Sequence, residues 1–307
     1  MALERTNSEA TLRDYKQRML RVLLHIQRHL DAPLGLDELA EVACFSPYHF
    51  HRIFKGMIGE TVKSHVRRLR LERAAGQLKR GAQPVTVIAF EAGYETHEAF
   101  TRAFKMLFGV APSRFRSINR KPTAGPSPSG VHYQEGAMLK DFKAGRPRLQ
   151  TMNVQIRRIQ PMRVAFMRHV GPYSEVGATW ERLLPILGKE GYLGGDVAIL
   201  GICYDDPELT PPDRIRYDAC VTVDEQFAPA GDIGVQTIPG GDHAVTSHIG
   251  PYHALGRTYA RLLGQWLPRS GYQPNCSPCF EIYLNDPCSN APEDLLTDIY
   301  VPLKTTH

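Results

Sequence analysis

Nowhere in these 307 residues do 18 uncharged apolar residues follow one another, and no basic start leads into an apolar stretch of signal-peptide length. Neither a helical membrane span nor a cleaved leader is expected, and the chain reads as cytoplasmic with no membrane partner. Cysteine is sparse, six in all, and a cytoplasmic chain keeps such residues reduced, so no disulfide framework is implied. Cys276 and Cys279 form a C-x-x-C pair, but no second pair of Cys or His follows at zinc-ligand spacing, so no metal is expected. A nucleophile elbow and a phosphate-cradling glycine loop are also missing, so neither an enzyme nor a cofactor is expected.

What the chain does have is a globular composition, 42% apolar and 22% charged, and length for two domains. Its net charge of +5 conceals a split: residues 1–120 hold 20 Lys and Arg against 12 Asp and Glu, whereas residues 151–307 hold 12 against 18. Basic and acidic halves imply different partners. Between them Pro122, Gly125, Pro126, Pro128 and Gly130 crowd into ten residues, and Gly145 and Pro147 interrupt a second basic stretch, which reads as a linker over 121–150.

Upstream of the linker the apolar residues Leu12, Tyr15, Met19, Val22, Leu23, Ile26 and Leu30 fall at helical spacing until Pro33 ends the pattern. Downstream, short runs rich in strand formers at 164–168, 197–204, 217–223, 243–248, 279–284 and 298–303 alternate with helical stretches at 176–188 and 254–266. Both halves are internally duplicated. Leu39-Ala-Glu-Val-Ala43 and Phe50-His-Arg-Ile-Phe-Lys55 return about 50 residues later as Ile88-Ala-Phe-Glu-Ala92 and Phe100-Thr-Arg-Ala-Phe-Lys105. His169-Val-Gly-Pro-Tyr173 returns 79 residues later as His248-Ile-Gly-Pro-Tyr252. The predicted fold class is therefore multidomain: an all-α N-terminal domain with two helix-turn-helix units over 1–120, then an α+β domain of two strand-helix-strand-strand repeats over 151–307.

In each N-terminal copy two helical turns with an apolar face precede a turn and a second helix, the order of a helix-turn-helix. Ser46 followed by Pro47 predicts a capped helix start. With Phe50, Ile53 and Phe54 inward, Tyr48, His49, His51 and Arg52 are expected nearer the outside. With Phe100, Ala103, Phe104 and Leu107 inward, His97, Glu98, Thr101 and Arg102 are left to reach base edges in the second copy. Arginine can read guanine bidentately and glutamate can accept from cytosine. Lys55, Arg68, Arg70, Lys105, Arg114 and Arg116 are expected to neutralise phosphates. Double-stranded DNA is thus the expected macromolecular partner, with association with the nucleoid following from it, and RNA polymerase is a second partner open to such a protein. The stretch Ile88-Ala…Ala92-Gly-Tyr94…Phe100-Thr-Arg-Ala-Phe-Lys105…Phe108-Gly109…Pro112-Ser-Arg-Phe-Arg116 resembles the AraC/XylS DNA-binding domain. The resemblance implies seven helices and two recognition helices in successive major grooves. Cys44 departs from the pattern where the second copy has Gly93, and a left-handed turn there would strain it by about 1 kcal/mol.

The C-terminal half is rich in aromatics. In Phe280-Glu-Ile-Tyr283, strand alternation puts Glu281 and Tyr283 on one face and Phe280 and Ile282 on the other. Glu281 is either the anion that meets a cationic, aromatic or lipophilic ligand or a glutamate satisfied by water or a basic neighbour. The equivalent place in the first repeat is Gly201, so the repeats differ where a site would make them differ. The paired His-x-Gly-Pro-Tyr turns and Glu281-Ile-Tyr-Leu-Asn-Asp-Pro287 resemble the GyrI-like small-molecule-binding domain. That resemblance implies a transcription regulator sensing a small effector, plausible in multidrug response, with Glu281, Tyr283, Tyr173, Trp180 and Tyr252 as effector contacts. A protein-partner module and a small-molecule hydrolase using Glu281 stay open as alternatives.

Overall fold

The computed structural model describes residues 2–118, 142, 152–205, 207 and 210–304. The expected linker 121–150 lies, apart from Phe142, outside the described residues. The described chain gathers into two compact units: Met1–Tyr15, Phe45–Ile53 and Arg148–His307 form one, and Lys16–Cys44 with Phe54–Pro147 the other.

The N-terminal region forms the seven helices that the resemblance implies: α1 (Ala2–Arg28), α2 (Leu36–Ala43), α3 (Pro47–Ile58), α4 (Val62–Arg80), α5 (Val85–Glu91), α6 (His97–Phe108) and α7 (Pro112–Ser117). The α2–α3 and α5–α6 pairs are the two helix-turn-helix units. Cys44 ends α2 at φ 54° and ψ 41°, the left-handed conformation expected of it, and Gly93 takes φ 79° at the equivalent turn. Helix α6 is capped by Thr96, whose hydroxyl accepts from the Ala99 amide at 3.1 Å. The side-chain cap expected from Ser46 is not made: its carbonyl accepts from the His49 and Phe50 amides, while its hydroxyl is buried elsewhere. Phe100, Phe104 and Phe115 centre the core around the second unit, with Ile88, Ala89 and Leu78 packed beside them.

The C-terminal region is one antiparallel sheet of eight strands in the order β1-β6-β8-β7-β3-β4-β2-β5. Strands β2 (Met162–Val170), β3 (Ile199–Cys203), β4 (Arg216–Thr222), β6 (Gly241–Ile249), β7 (Cys279–Tyr283) and β8 (Leu296–Pro302) fall on the predicted runs. Two strands were not foreseen, β1 (Gln155–Ile159) and β5 (Gly234–Ile238). Each leads by a tight turn into the first predicted strand of its own repeat, yet pairs in the other: β1 joins β6 and β5 joins β2. The two repeats thus exchange their opening strands, and they meet at the centre where β3 pairs with β7. Helices α8 (Val176–Lys189) and α9 (Leu255–Arg261) are the equivalent crossovers, and α9 continues through a π-helical turn, Leu262–Trp266, into α10 (Leu267–Ser270).

The duplicated His-x-Gly-Pro-Tyr turns do the same structural work twice. His169 donates from Nε2 to the Pro172 carbonyl at 3.1 Å, and its Nδ1 accepts from Thr179 at 3.2 Å. His248 repeats this with Pro251 at 3.4 Å and Thr258 at 2.8 Å. Gly171 and Gly250 take φ 152° and 128°, a region closed to most side chains. Asp218 and Asp298 are a second matched pair. Asp218, 0% exposed, takes both donors of the Arg168 fork at 2.7 and 2.8 Å, and Asp298 accepts from Arg157 at 3.0 Å.

Candidate effector site and candidate recognition helices

At the central seam Glu281 on β7 lies directly opposite Gly201 on β3. A Cβ at position 201 would stand 2.6 Å from ring carbons of Tyr217, so the missing side chain is what lets that ring lie beside the carboxylate. Glu281 is 4% exposed. Its Oε1 accepts from the Tyr259 hydroxyl at 3.0 Å and the Cys203 thiol at 3.4 Å, and its Oε2 from the Tyr283 hydroxyl at 3.0 Å. The Tyr217 and Tyr283 hydroxyls are 2.8 Å apart, extending the network into the first repeat. Burial, then the Glu281 charge, pushes the Tyr259 and Tyr283 phenols well above their ordinary range, so both stay protonated as donors.

The sequence-predicted effector contacts converge here. Trp180 meets Tyr217 and Tyr283 edge-on at 6.4 and 6.1 Å, Tyr173 meets Tyr217 at 6.0 Å, and the exposed Tyr252 meets Tyr283 at 5.4 Å. Glu281 is buried, unlike an edge-strand glutamate in water, and phenols and a thiol donate to its carboxylate. Tyr217, Tyr259 and Cys203 were missed as members of the site. Tyr217 was visible as the neighbour strand's inward aromatic, but no sequence signal tied Tyr259 of α9 to Glu281. A separate cleft of about 530 Å³ lies by β1, β6 and α9, where Arg157, Arg257 and Arg261 are among its walls, and no predicted effector residue lines it. Of the C-x-x-C pair, Cys276 is exposed and Cys279 buried.

Helix α3 differs from the expectation. His49, His51 and Arg52, expected toward the outside, are 1%, 5% and 9% exposed. They are buried because the segment Phe45–Ile53 packs in the same compact unit as the C-terminal region. The Arg52 guanidinium sits 4.2 Å above the centroid of the Tyr259 ring, the ring whose hydroxyl holds Glu281. His49 donates from Nε2 to the Asn275 carbonyl at 2.9 Å, which leaves Nδ1 to face the Cys279 thiol at 3.7 Å. Burial, then the Arg52 charge, holds the His49 pKa down at about 4. Tyr48, half-buried, meets Tyr204 edge-on at 6.5 Å.

Helix α6 differs. Glu98 and Arg102 are exposed, and His97 and Thr101 half-buried. Among the expected phosphate contacts Lys105 and Arg114 are exposed and Lys55 is half-buried. Arg68, expected on a phosphate, is instead buried, with Glu60 at 2.7 Å and Glu72 at 3.1 Å, because a guanidinium inside the helix cluster needs carboxylates to stay there. Arg70 donates to the Leu30 carbonyl at 2.9 Å, and Arg116 to that of Gln83.

Residues 39–118 match the helix-turn-helix domain family, and residues 152–304 match the GyrI-like small molecule binding domain. The transcriptional regulator Rob of Salmonella typhimurium is 34% identical over 107 residues, 35% of this chain and 37% of that protein. The transposon Tn10 TetD protein of Escherichia coli is 38% identical over 95 residues, 31% of this chain and 69% of that protein. The multiple antibiotic resistance protein MarA of Escherichia coli is 31% identical over 98 residues, 32% of this chain and 77% of that protein. The match spans about a third of the Rob-type relatives' length. With two helix-turn-helix units of this pattern followed by the duplicated sheet, the chain belongs to the AraC family of helix-turn-helix proteins and carries a GyrI-like domain behind its DNA-binding domain.

Proposed function

We propose that the chain is a sequence-specific, DNA-binding transcription regulator whose C-terminal domain senses a small lipophilic cation at Glu281. The observation that carries the sensing half is a carboxylate on an interior strand, buried among phenols and an indole contributed by both repeats. A carboxylate so placed attracts a cation in low dielectric, and the aromatic faces add cation-π and apolar contact. The DNA half is supported by α6, whose exposed Glu98 and Arg102 lie in its first half with Lys105 about one turn on. RNA polymerase is the second partner of this reading, as the machinery that a DNA-bound regulator acts on.

The test is calorimetric titration of the full chain with tetraphenylphosphonium and, as a neutral comparison, triphenylphosphine oxide. Binding of the cation that Glu281→Gln weakens at least tenfold, with little change for the neutral compound, is the expected result. Equal losses for both would remove Glu281 as the charge-selective group, and turnover of small electrophiles that the same substitution abolishes would favour the hydrolase reading instead.

A further inference from the structure

Two of the residues that the first helix-turn-helix would use to read bases, His49 and Arg52, are buried in this structure, and Arg52 lies on the ring of Tyr259, which holds Glu281. Recognition helices read DNA with their N-terminal residues. In α3 those residues include His49 and Arg52, which contact Asn275, Cys279 and Tyr259. The contact has the chemistry proposed for the effector. A guanidinium lies on a Tyr259 face, beside the two thiols that also feel Glu281, and its charge and that of Glu281 act on the same Cys203, Cys279 and Tyr259. Arginine suits this role because its planar, weakly hydrated cation stacks on aromatic rings and does not deprotonate.

We infer that Arg52 is a built-in occupant of the cation site, so that a cationic effector and the docked α3 helix compete for the Tyr259–Glu281 wall and the effector releases the first helix-turn-helix for DNA. The inference rests on the sensing role proposed above. Docked and DNA-engaged α3 exclude one another, since Arg52 and His49 cannot both line the C-terminal domain and enter a major groove. Linkage then requires reciprocity: a cation that frees α3 strengthens DNA binding, and DNA carrying the target sequence strengthens cation binding by the same factor. An internal competitor also lowers apparent affinity by the fraction of time the site is filled.

Hydrogen exchange and calorimetry on the full chain test this together, with wild type, Arg52→Ala, Arg52→Lys and Glu281→Gln, and with tetraphenylphosphonium as the probe. Arg52→Ala is expected to bind the cation at least about tenfold more tightly than wild type and to exchange faster over residues 47–53, while Arg52→Lys, which keeps the charge but not the planar stack, falls between the two. In wild type, the cation is expected to slow exchange over residues 280–283 and speed it over 47–53. Cation binding with protection of 280–283, but unchanged exchange over 47–53 and equal affinity in Arg52→Ala, overturns the competition and leaves the sensor intact. No cation binding to wild type or to Arg52→Ala overturns the sensor, and the competition with it. Equal exchange over 47–53 in wild type and Arg52→Ala without ligand shows that Arg52 does not hold the helix, which also overturns the inference.

Discussion

At the scale of single residues, charge and burial decide what each group can do. His49 is neutral where it sits, because burial and the adjacent Arg52 charge both disfavour the imidazolium. Its pKa in the packed state is about 4, against 6.5 when exposed. The packed state therefore binds fewer protons, and the stability this gives is present above pH 6.5 and lost as the pH falls from there toward 4. The full loss is on the order of 3 kcal/mol. Denaturant unfolding of the full chain at pH 7.5, 6 and 5 is expected to show a steeper decline in wild type than in His49→Gln, and identical slopes would mean that His49 is already protonated or exposed. Glu281 was readable at this scale, since a carboxylate in an apolar strand is anomalous in any sequence. Its partners were not, because Tyr259 and Cys203 reach it only through helix and strand placement.

At the scale of elements, periodicity carried most of the information. Six of the eight described strands fall on runs rich in strand formers, and α1 and α8 fall on stretches with helical spacing or composition. Strands β1 and β5 escaped because they are short edge strands, β1 mostly exposed with two Arg among its five residues and β5 opening on a glycine, and their pairing partner lies in the other repeat and leaves no local trace. The seam between β3 and β7 is the most constrained junction, since Gly201 there yields its space to the Tyr217 ring. Gly201→Ala is expected to lower stability by about 1–3 kcal/mol through overpacking, because the ring is buried and cannot swing aside. Thermal unfolding of the full chain measures it. An unchanged melting temperature would mean that the seam relaxes at no cost.

At the scale of the whole chain, the charge split separates two kinds of partner, and each can be tested separately. Against a site selected from random duplexes, Arg102→Ala is expected to cost about 1–3 kcal/mol on that site and little on random DNA. Lys105→Ala is expected to weaken both alike and to reduce the salt slope by about one. Fluorescence anisotropy at several salt concentrations gives both numbers, and equal losses on both DNAs for Arg102→Ala would take it off the base-reading surface. The sequence by itself determined the duplications, the order of the helices, the left-handed turn at Cys44 and the face of β7 that carries Glu281 and Tyr283. These follow from local backbone preference and from spacing along one element. Only the tertiary structure decided that β1 and β5 exchange repeats, that Tyr259 and Cys203 hold Glu281, and that His49 and Arg52 turn inward. An amphipathic pattern fixes which side of a helix is apolar, whereas what covers its polar side depends on residues more than 150 positions away, for which the sequence holds no periodic signal.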